Sequence, residues 1–141
     1  NAIGAKARKR IQTGIDGLDA LLQYANDTVE QRGFVVLPDG RPVQSSPRTS
    51  LNSLLQGAGS ILMKTAAVIF HQDLAPKRSL TGHYEYCANV HDELQLSVEP
   101  DKADAVGQAV CDAIQIAGEQ LGYKVPFAGE YDIGANWSET H

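Results

Sequence analysis

An α+β fold is predicted by three observations: three stretches with apolar residues at three- and four-residue steps, one strict apolar–polar alternation, and turn-forming residues between them. The expected architecture is long helices packed on a small antiparallel sheet whose central hairpin carries His91 and Asp92. At 141 residues the chain fits one domain, residues 1–141, because a chain this short has no room for two well-buried cores.

From about Ile3 to Glu30 the sequence reads as helix, with Ile11, Ile15, Leu18, Leu21, Leu22 and Ala25 on one side. Gly14 and Gly17 weaken that helix and can kink it, and Gly33 stops it. Phe34 to Leu37, then Pro38-Asp39-Gly40-Arg41 and Pro42-Val43, reads as a short hairpin about a tight turn.

Ser46-Pro47 is a helix start, with Ser as the capping residue and Pro at the first helical position. The helix from Pro47 to about Leu74 is the longest element, its apolar stripe formed by Leu51, Leu54, Leu55, Ala58, Leu62, Thr65 and Ile69. Pro76 through His83 reads as a polar loop. After Asp92 the alternation is strict, with Leu94, Leu96 and Val98 against Glu93, Gln95, Ser97 and Glu99, as in a half-buried antiparallel strand. Tyr84 to Val90 supplies the other arm, which puts His91-Asp92 at or beside the turn. Pro100-Asp101 opens a last amphipathic helix with Ala103, Val106, Val110, Ala113, Ala117 and Leu121 inward and Gly122 at its end; a short strand or extended tail, Gly129 to Trp137, follows.

Composition is that of an ordinary globular chain, 43% hydrophobic and 21% charged, which excludes a collagen-like repeat or a disordered tail. No uninterrupted apolar run approaches the roughly 18 residues that span a bilayer, and the residues around Lys6, Arg8, Lys9 and Arg10 lack the apolar core of a secretion signal, so the expected location is the cytoplasm, with no membrane partner. Two cysteines, Cys87 and Cys111, make neither a disulfide framework nor a tetrahedral zinc site. A net charge of −5 argues against an autonomous nucleic-acid binder.

Val90-His91-Asp92-Glu93-Leu94 is the chemically dense stretch. Asp92 falls on the parity otherwise filled by apolar side chains, where a carboxylate needs a partner or a cation; the plain alternative is a solvated turn. Mg²⁺ is held by one or two carboxylates plus substrate phosphates, so a carboxylate at a hairpin end is a fit half of such a site. Arg48, Asn52 and Gln56 recur every four residues, within an arc of roughly 80° on a helix, and Gly59 lies on the same side. A guanidinium and two amides in line suit sugar-phosphate and minor-groove contacts, or simply form an exposed polar face.

Ser46-Pro47-Arg48-Thr49-Ser50-Leu51-Asn52-Ser53-Leu54-Leu55-Gln56-Gly57-Ala58-Gly59, then Val90-His91-Asp92-Glu93, then Gly134-Ala135-Asn136-Trp137 and a terminal His141 together resemble the C-terminal part of the polymerase domain of a family A (polymerase I-like) DNA polymerase, of phage type. The resemblance implies palm plus part of the fingers. It makes Asp92 the palm aspartate that coordinates catalytic Mg²⁺, Glu93 an auxiliary carboxylate, and His91 a contact to the primer-terminal phosphate. Arg48, Asn52 and Gln56 would follow the duplex minor groove, whose shared acceptors permit contact without sequence choice. The partners implied are primer–template DNA and a deoxynucleoside triphosphate. The two-metal site would be completed by residues outside this chain, supplied by an upstream remainder joined covalently or as a split subunit, so the isolated fragment is expected to be inactive.

Two competing functions are a stand-alone metal-dependent phosphoesterase using Asp92 and Glu93, and a non-catalytic nucleic-acid-binding or assembly module. The basic run Lys6, Arg8, Lys9 and Arg10 could touch template phosphates, although a solvated helix end is the plainer reading. His71 and His83 read as surface or satisfied histidines, Trp137 as packing, and Asp39-Gly40-Arg41 as a turn.

Overall fold

The computed structural model describes residues Ala2–Thr140. The terminal His141, part of the resemblance, lies outside the described residues, as does the side chain of Arg8. Contacts divide the chain into two compact units, 1–58 and 59–141, each taken by itself below.

In the first unit the expected single N-terminal helix is two: α1 (Ala2–Gly14) and α2 (Leu18–Arg32). The break has a local cause. Gly17 adopts a left-handed φ of 79°, a conformation that continues no right-handed helix and that glycine takes without a Cβ clash. Gly33 ends α2 as expected, also left-handed, its N–H donating to the Val29 carbonyl at 2.7 Å. Strands β1 (Phe34–Val36) and β2 (Pro42–Gln44) pair antiparallel, Val35 opposite Val43, closing the predicted ribbon. Ala25, Val29, Val35 and Leu37 are buried.

Helix α3 (Ser50–Ile69) begins three residues later than predicted, after a turn in which Thr49 N–H donates to the Ser46 carbonyl at 2.9 Å. Ser46 therefore shapes the preceding turn through its carbonyl and its hydroxyl, which lies 2.9 Å from the Thr49 hydroxyl, rather than capping a backbone N–H. Residues 50–58 of α3 belong to the first unit. Here Leu55, expected in the buried stripe, is 55% exposed, and Ser50, which the apolar pattern passes over, is 1% exposed. The buried hydroxyl is satisfied: it donates to Asn26 Oδ1 at 2.6 Å and fixes the start of α3 against α2. Gly57 is the structural glycine of the segment, since a Cβ there would meet the Leu37 side chain, with Cδ1 2.8 Å away.

In the second unit the remainder of α3 runs into a π-helical turn, Phe70–Leu74, and a final helical turn α4 (Ala75–Lys77). Pro76 was expected to open a loop. It sits inside the helical run instead, and the wider turn before it, in which Ala75 N–H reaches the Phe70 carbonyl, provides room for a ring that ordinary α geometry would drive into the carbonyl four residues earlier. By length and composition alone the run Ser50–Lys77 would suffice to cross a membrane, a criterion that core helices also meet. Its Leu62, Ala66, Ile69, Phe70 and Leu74 form one core with Val106, Ala109, Ala113 and Ala117 of α5 (Ala103–Gln120). The four α5 residues recur at three- and four-residue steps, as a single buried face requires.

Strands β3 (Tyr84–Val90) and β4 (Glu93–Val98) form the predicted central hairpin. Helix α5 follows a 3₁₀ turn at Pro100–Lys102 and ends at Gln120, with Gly122 just beyond it left-handed at φ 75° and Tyr123 N–H bonded back to the Gly118 carbonyl at 3.1 Å. The chain after Gly122 forms no strand. It lies extended on α5, with Phe127 over Gly118, where a Cβ would come within 2.6 Å of the ring, and Tyr131 over Gly107. A 3₁₀ turn at Trp137–Glu139 closes it. Trp137, read as packing, is 54% exposed.

Candidate active site

Val90 pairs with Glu93, so His91 and Asp92 alone make the hairpin loop. A two-residue loop matches the twist of its strands only with a positive φ at a central position, which favours Gly, Asn or Asp. His91 takes that position at φ 54°. A left-handed non-glycine residue costs about 1–2 kcal/mol, and such strain gathers at functional sites. Asp92 is exposed. It is therefore not a buried carboxylate on an apolar strand face, and the expectation that burial forces a partner on it does not hold. Among the described residues neither His91 nor Asp92 has a hydrogen bond or ion pair to hold it in place. Glu93, half-buried at the start of β4, accepts a hydrogen bond from Gln95 Nε2.

The hairpin arms are not in simple register. Tyr86 pairs with Leu96 but Ala88 pairs with Gln95, so Cys87 is an extra residue on β3. Below this bulge Tyr84 and Tyr86 share the face of Val98 and Leu96; above it the parity switches and Asn89, opposite Leu94, continues that face. Sequence alternation in β4 gives no sign of a bulge in β3, which is why it was not anticipated.

Aromatic contacts anchor the lower arms. Phe70, fully buried, lies 4.6 Å from the Tyr84 ring and 6.3 Å from the Tyr86 ring between centroids. His71 Nδ1 is 2.7 Å from the Tyr84 hydroxyl, and the Tyr86 hydroxyl donates to the Ala67 carbonyl at 3.1 Å. Burial pushes the Tyr86 phenol up to about 12, with the neighbouring Tyr84 adding to it, so Tyr86 stays a donor across any physiological range. His83 Nδ1, 2.6 Å from Glu99 Oε2, ties the strand ends at the base. Both histidines are thus satisfied side chains, as expected.

In the first unit, Asn52 and Gln56 are exposed one turn apart on α3, while Arg48 lies in the turn that precedes the helix and is also exposed. The three are brought onto one short segment, but only two share a regular helical face. Hydroxyls brace this segment: Ser45 Oγ stands 3.2 Å from Thr49 Oγ1 and 3.0 Å from Ser53 Oγ. Gly59 has nothing within 4 Å of where a Cβ would lie, so among the described residues its flatness serves no packing.

Among the described residues no three His, Cys, Asp or Glu side chains are grouped so as to hold a metal ion. At the hairpin tip, Asp92 is a carboxylate without a hydrogen bond among the described residues, with Glu93 next in sequence. Such a donor set fits part of a Mg²⁺ site, in which substrate phosphates and further carboxylates complete the shell, and does not fit a whole one.

The family model for DNA polymerase family A matches residues 28–139. The chain belongs to that family. Among the relatives of this family A segment, the DNA-directed DNA polymerase of Enterobacteria phage T3 is 33% identical over 110 residues, covering 73% of the chain and 15% of that protein. The DNA-directed DNA polymerase of Escherichia phage T7 is 31% identical with the same coverage. The chain therefore spans about 15% of the length of these relatives. In fold it is similar to the POL domain of Pol1 from M. smegmatis, solved in complex with DNA primer-template and dNTP, with a TM-score of 0.68, 21% identity, and coverage of 83% of this chain and 23% of that one. The α+β architecture with long helices and small antiparallel sheets is shared with that domain. The matched span takes in both the Arg48–Gln56 segment and the His91-Asp92 turn.

Proposed function

We propose that residues 1–141 are the C-terminal palm and partial fingers of a DNA-directed DNA polymerase, acting on primer–template DNA and a deoxynucleoside triphosphate in the cytoplasm. The observation that carries this reading is a carboxylate left free at the tip of an anchored hairpin, beside a histidine in a strained backbone conformation, inside a family A match.

In this reading Asp92 holds catalytic Mg²⁺, Glu93 is an auxiliary carboxylate, and His91 donates to the phosphate at the primer terminus. Arg48, Asn52 and Gln56 follow the minor groove of the duplex, reading shape rather than sequence. Bound Mg²⁺ would stabilise the attacking and leaving oxygens of an in-line displacement at phosphorus. The chain's own part is to position the Asp92 backbone: the Phe70, Tyr84 and Tyr86 anchor fixes the arms, and the two-residue turn sets the main chain from which the carboxylate projects. A second metal-binding carboxylate comes from upstream sequence, covalently joined or in a separate subunit, so the 141 residues alone lack polymerase activity. A stand-alone phosphoesterase is not supported, because among the described residues Asp92 and Glu93 have no third ligand grouped with them.

The test is primer extension by the polymerase that carries this segment, with Asp92→Asn. Loss of several kcal/mol of metal-mediated charge stabilisation corresponds to roughly a 10²–10⁴-fold lower rate. An unchanged rate in a folded variant would end the assignment.

A further inference from the structure

Helix α1 carries four cations in five residues, Lys6, Arg8, Lys9 and Arg10, and no acid anywhere between Ala2 and Gly14. At 100° per residue Lys6, Lys9 and Arg10 fall within an arc of roughly 100°, and all three are exposed. On the other side of the helix stands Ile11.

The usual structural reasons for such a run are missing. Cations favour the last turn of a helix, where they meet the negative end of the macrodipole, but the last turn of α1 holds none. Helical cations also pair with acids three or four residues away, yet Lys6 and Arg10 are each other's fourth neighbour, a like-charge arrangement that destabilises a helix by a few tenths of a kcal/mol. Among the described residues none of the three has an ion pair. The helix therefore carries a small electrostatic penalty with no local compensation.

Charge is also unevenly divided along the chain. The first unit holds seven of the twelve Lys and Arg but five of the seventeen Asp and Glu, giving net +2, while the second unit is net −7. The overall acidity that argues against nucleic-acid binding thus belongs to the second unit alone.

We infer that the Lys6, Lys9 and Arg10 face of α1 is a binding site for the sugar-phosphate backbone of nucleic acid. A polyanion with regularly spaced charges relieves the mutual repulsion of the three cations, and its contacts carry no sequence information. That the nucleic acid is a primer–template duplex rests on the function proposed above; the phosphate chemistry does not.

The experiment measures binding of a fluorescent primer–template duplex to the full 141-residue chain between about 50 and 200 mM salt, for the parent and for Lys6→Gln/Lys9→Gln/Arg10→Gln. Each lost phosphate contact lowers the slope of log K against log salt by roughly 0.9, so the triple variant should lose about 2 to 3 from the slope. Lys77→Gln/Lys124→Gln, in the second unit, should leave it unchanged. Should the triple variant lose its helical circular dichroism, the three single variants replace it, each lowering the slope by about 0.9. An unchanged slope, or a parent that does not bind at the lowest salt, overturns the inference. A reduced slope together with full primer extension by the Asp92→Asn polymerase would keep the phosphate site and discard the polymerase assignment; an unchanged slope with extension abolished would do the reverse.

Discussion

The two hairpins of this chain solve the same geometrical problem in opposite ways. In the β1–β2 ribbon the left-handed position is Gly40, at φ 85°, and the turn acid Asp39 is engaged by Arg41, whose Nε and a terminal guanidinium nitrogen donate to Oδ2 at 2.8 and 2.6 Å. In the β3–β4 hairpin the left-handed position is a histidine, and the turn acid Asp92 is held by nothing among the described residues. The first turn minimises its own free energy. The second keeps a backbone strain and leaves a carboxylate unengaged, although glycine at position 91 would remove the strain. Strain of this kind gathers at functional sites, which supports the roles proposed above for His91 and Asp92.

The largest consequence is a contrast between two like substitutions. Asp92→Asn should lower primer extension by the parent polymerase roughly 10²–10⁴-fold, while Asp39→Asn should leave it within about twofold, because a solvent-exposed ion pair contributes little, and only to stability. Equal losses from both would erase the distinction between a structural and a functional acid.

A second contrast concerns the anchor. The β3–β4 arms stand on a buried aromatic, and removing it in Phe70→Ala should destabilise the second unit by about 3–5 kcal/mol, read from urea unfolding. Tyr84→Phe removes only the hydrogen bond to His71, worth about 1 kcal/mol or less at an exposed site. If both were equally mild, the hairpin would be held by its strand pairing alone and the anchor would have no part in presenting Asp92.

At the tip itself, His91→Gly separates backbone from side chain. Glycine adopts the left-handed conformation freely, so stability should rise by about 1 kcal/mol, offset in part by the greater entropy of glycine in the unfolded chain. Extension should nevertheless fall, because the imidazole proposed to meet the primer phosphate is gone. A variant both more stable and fully active would make His91 a tolerated turn residue and nothing more.

Much of this was legible in the residues because periodicity and turn chemistry are local. Gly33, Gly122 and the Leu94, Leu96, Val98 alternation act within a few positions of themselves, and the structure follows them. Where two local tendencies compete, the sequence misleads. Helical periodicity runs through Gly14 and Gly17, and only the left-handed Gly17 decides for a break. Pro76 is a reliable breaker unless the preceding turn widens, as it does at Phe70–Leu74. Leu55 fits the apolar stripe of α3 by spacing and is exposed, whereas Ser50, polar by type, is buried because Asn26 of the preceding helix accepts its proton. The site was legible in a different way. His91-Asp92-Glu93 announced chemistry by residue type, but the parity argument for Asp92 assumed an unbroken strand; a two-residue loop makes it a free carboxylate instead of a buried one needing relief. The left-handed His91 and the bulge at Cys87 depend on cross-strand pairing, which no single strand encodes.

The smallest effect is the most direct measure of the difference between the turns. The Arg41 side chain beside Asp39 holds its carboxyl below the usual aspartate range, through its hydrogen bond first and its charge thereafter. A depressed carboxylate stabilises the fold above its unfolded pKa, and that contribution is lost as the pH falls through the folded value, so the ribbon loses this support only on acidification below about pH 4. Because Asp39 is open to solvent, salt should weaken the effect. Carboxyl chemical shifts followed by NMR as the pH is lowered should show Asp39 titrating below a free aspartate, and Arg41→Gln should move it up towards the ordinary value, the backbone N–H of residue 41 still donating to the carboxylate. If Arg41→Gln leaves that titration where it was, the guanidinium is not what engages the acid, and the contrast with Asp92 would have to rest on backbone conformation alone.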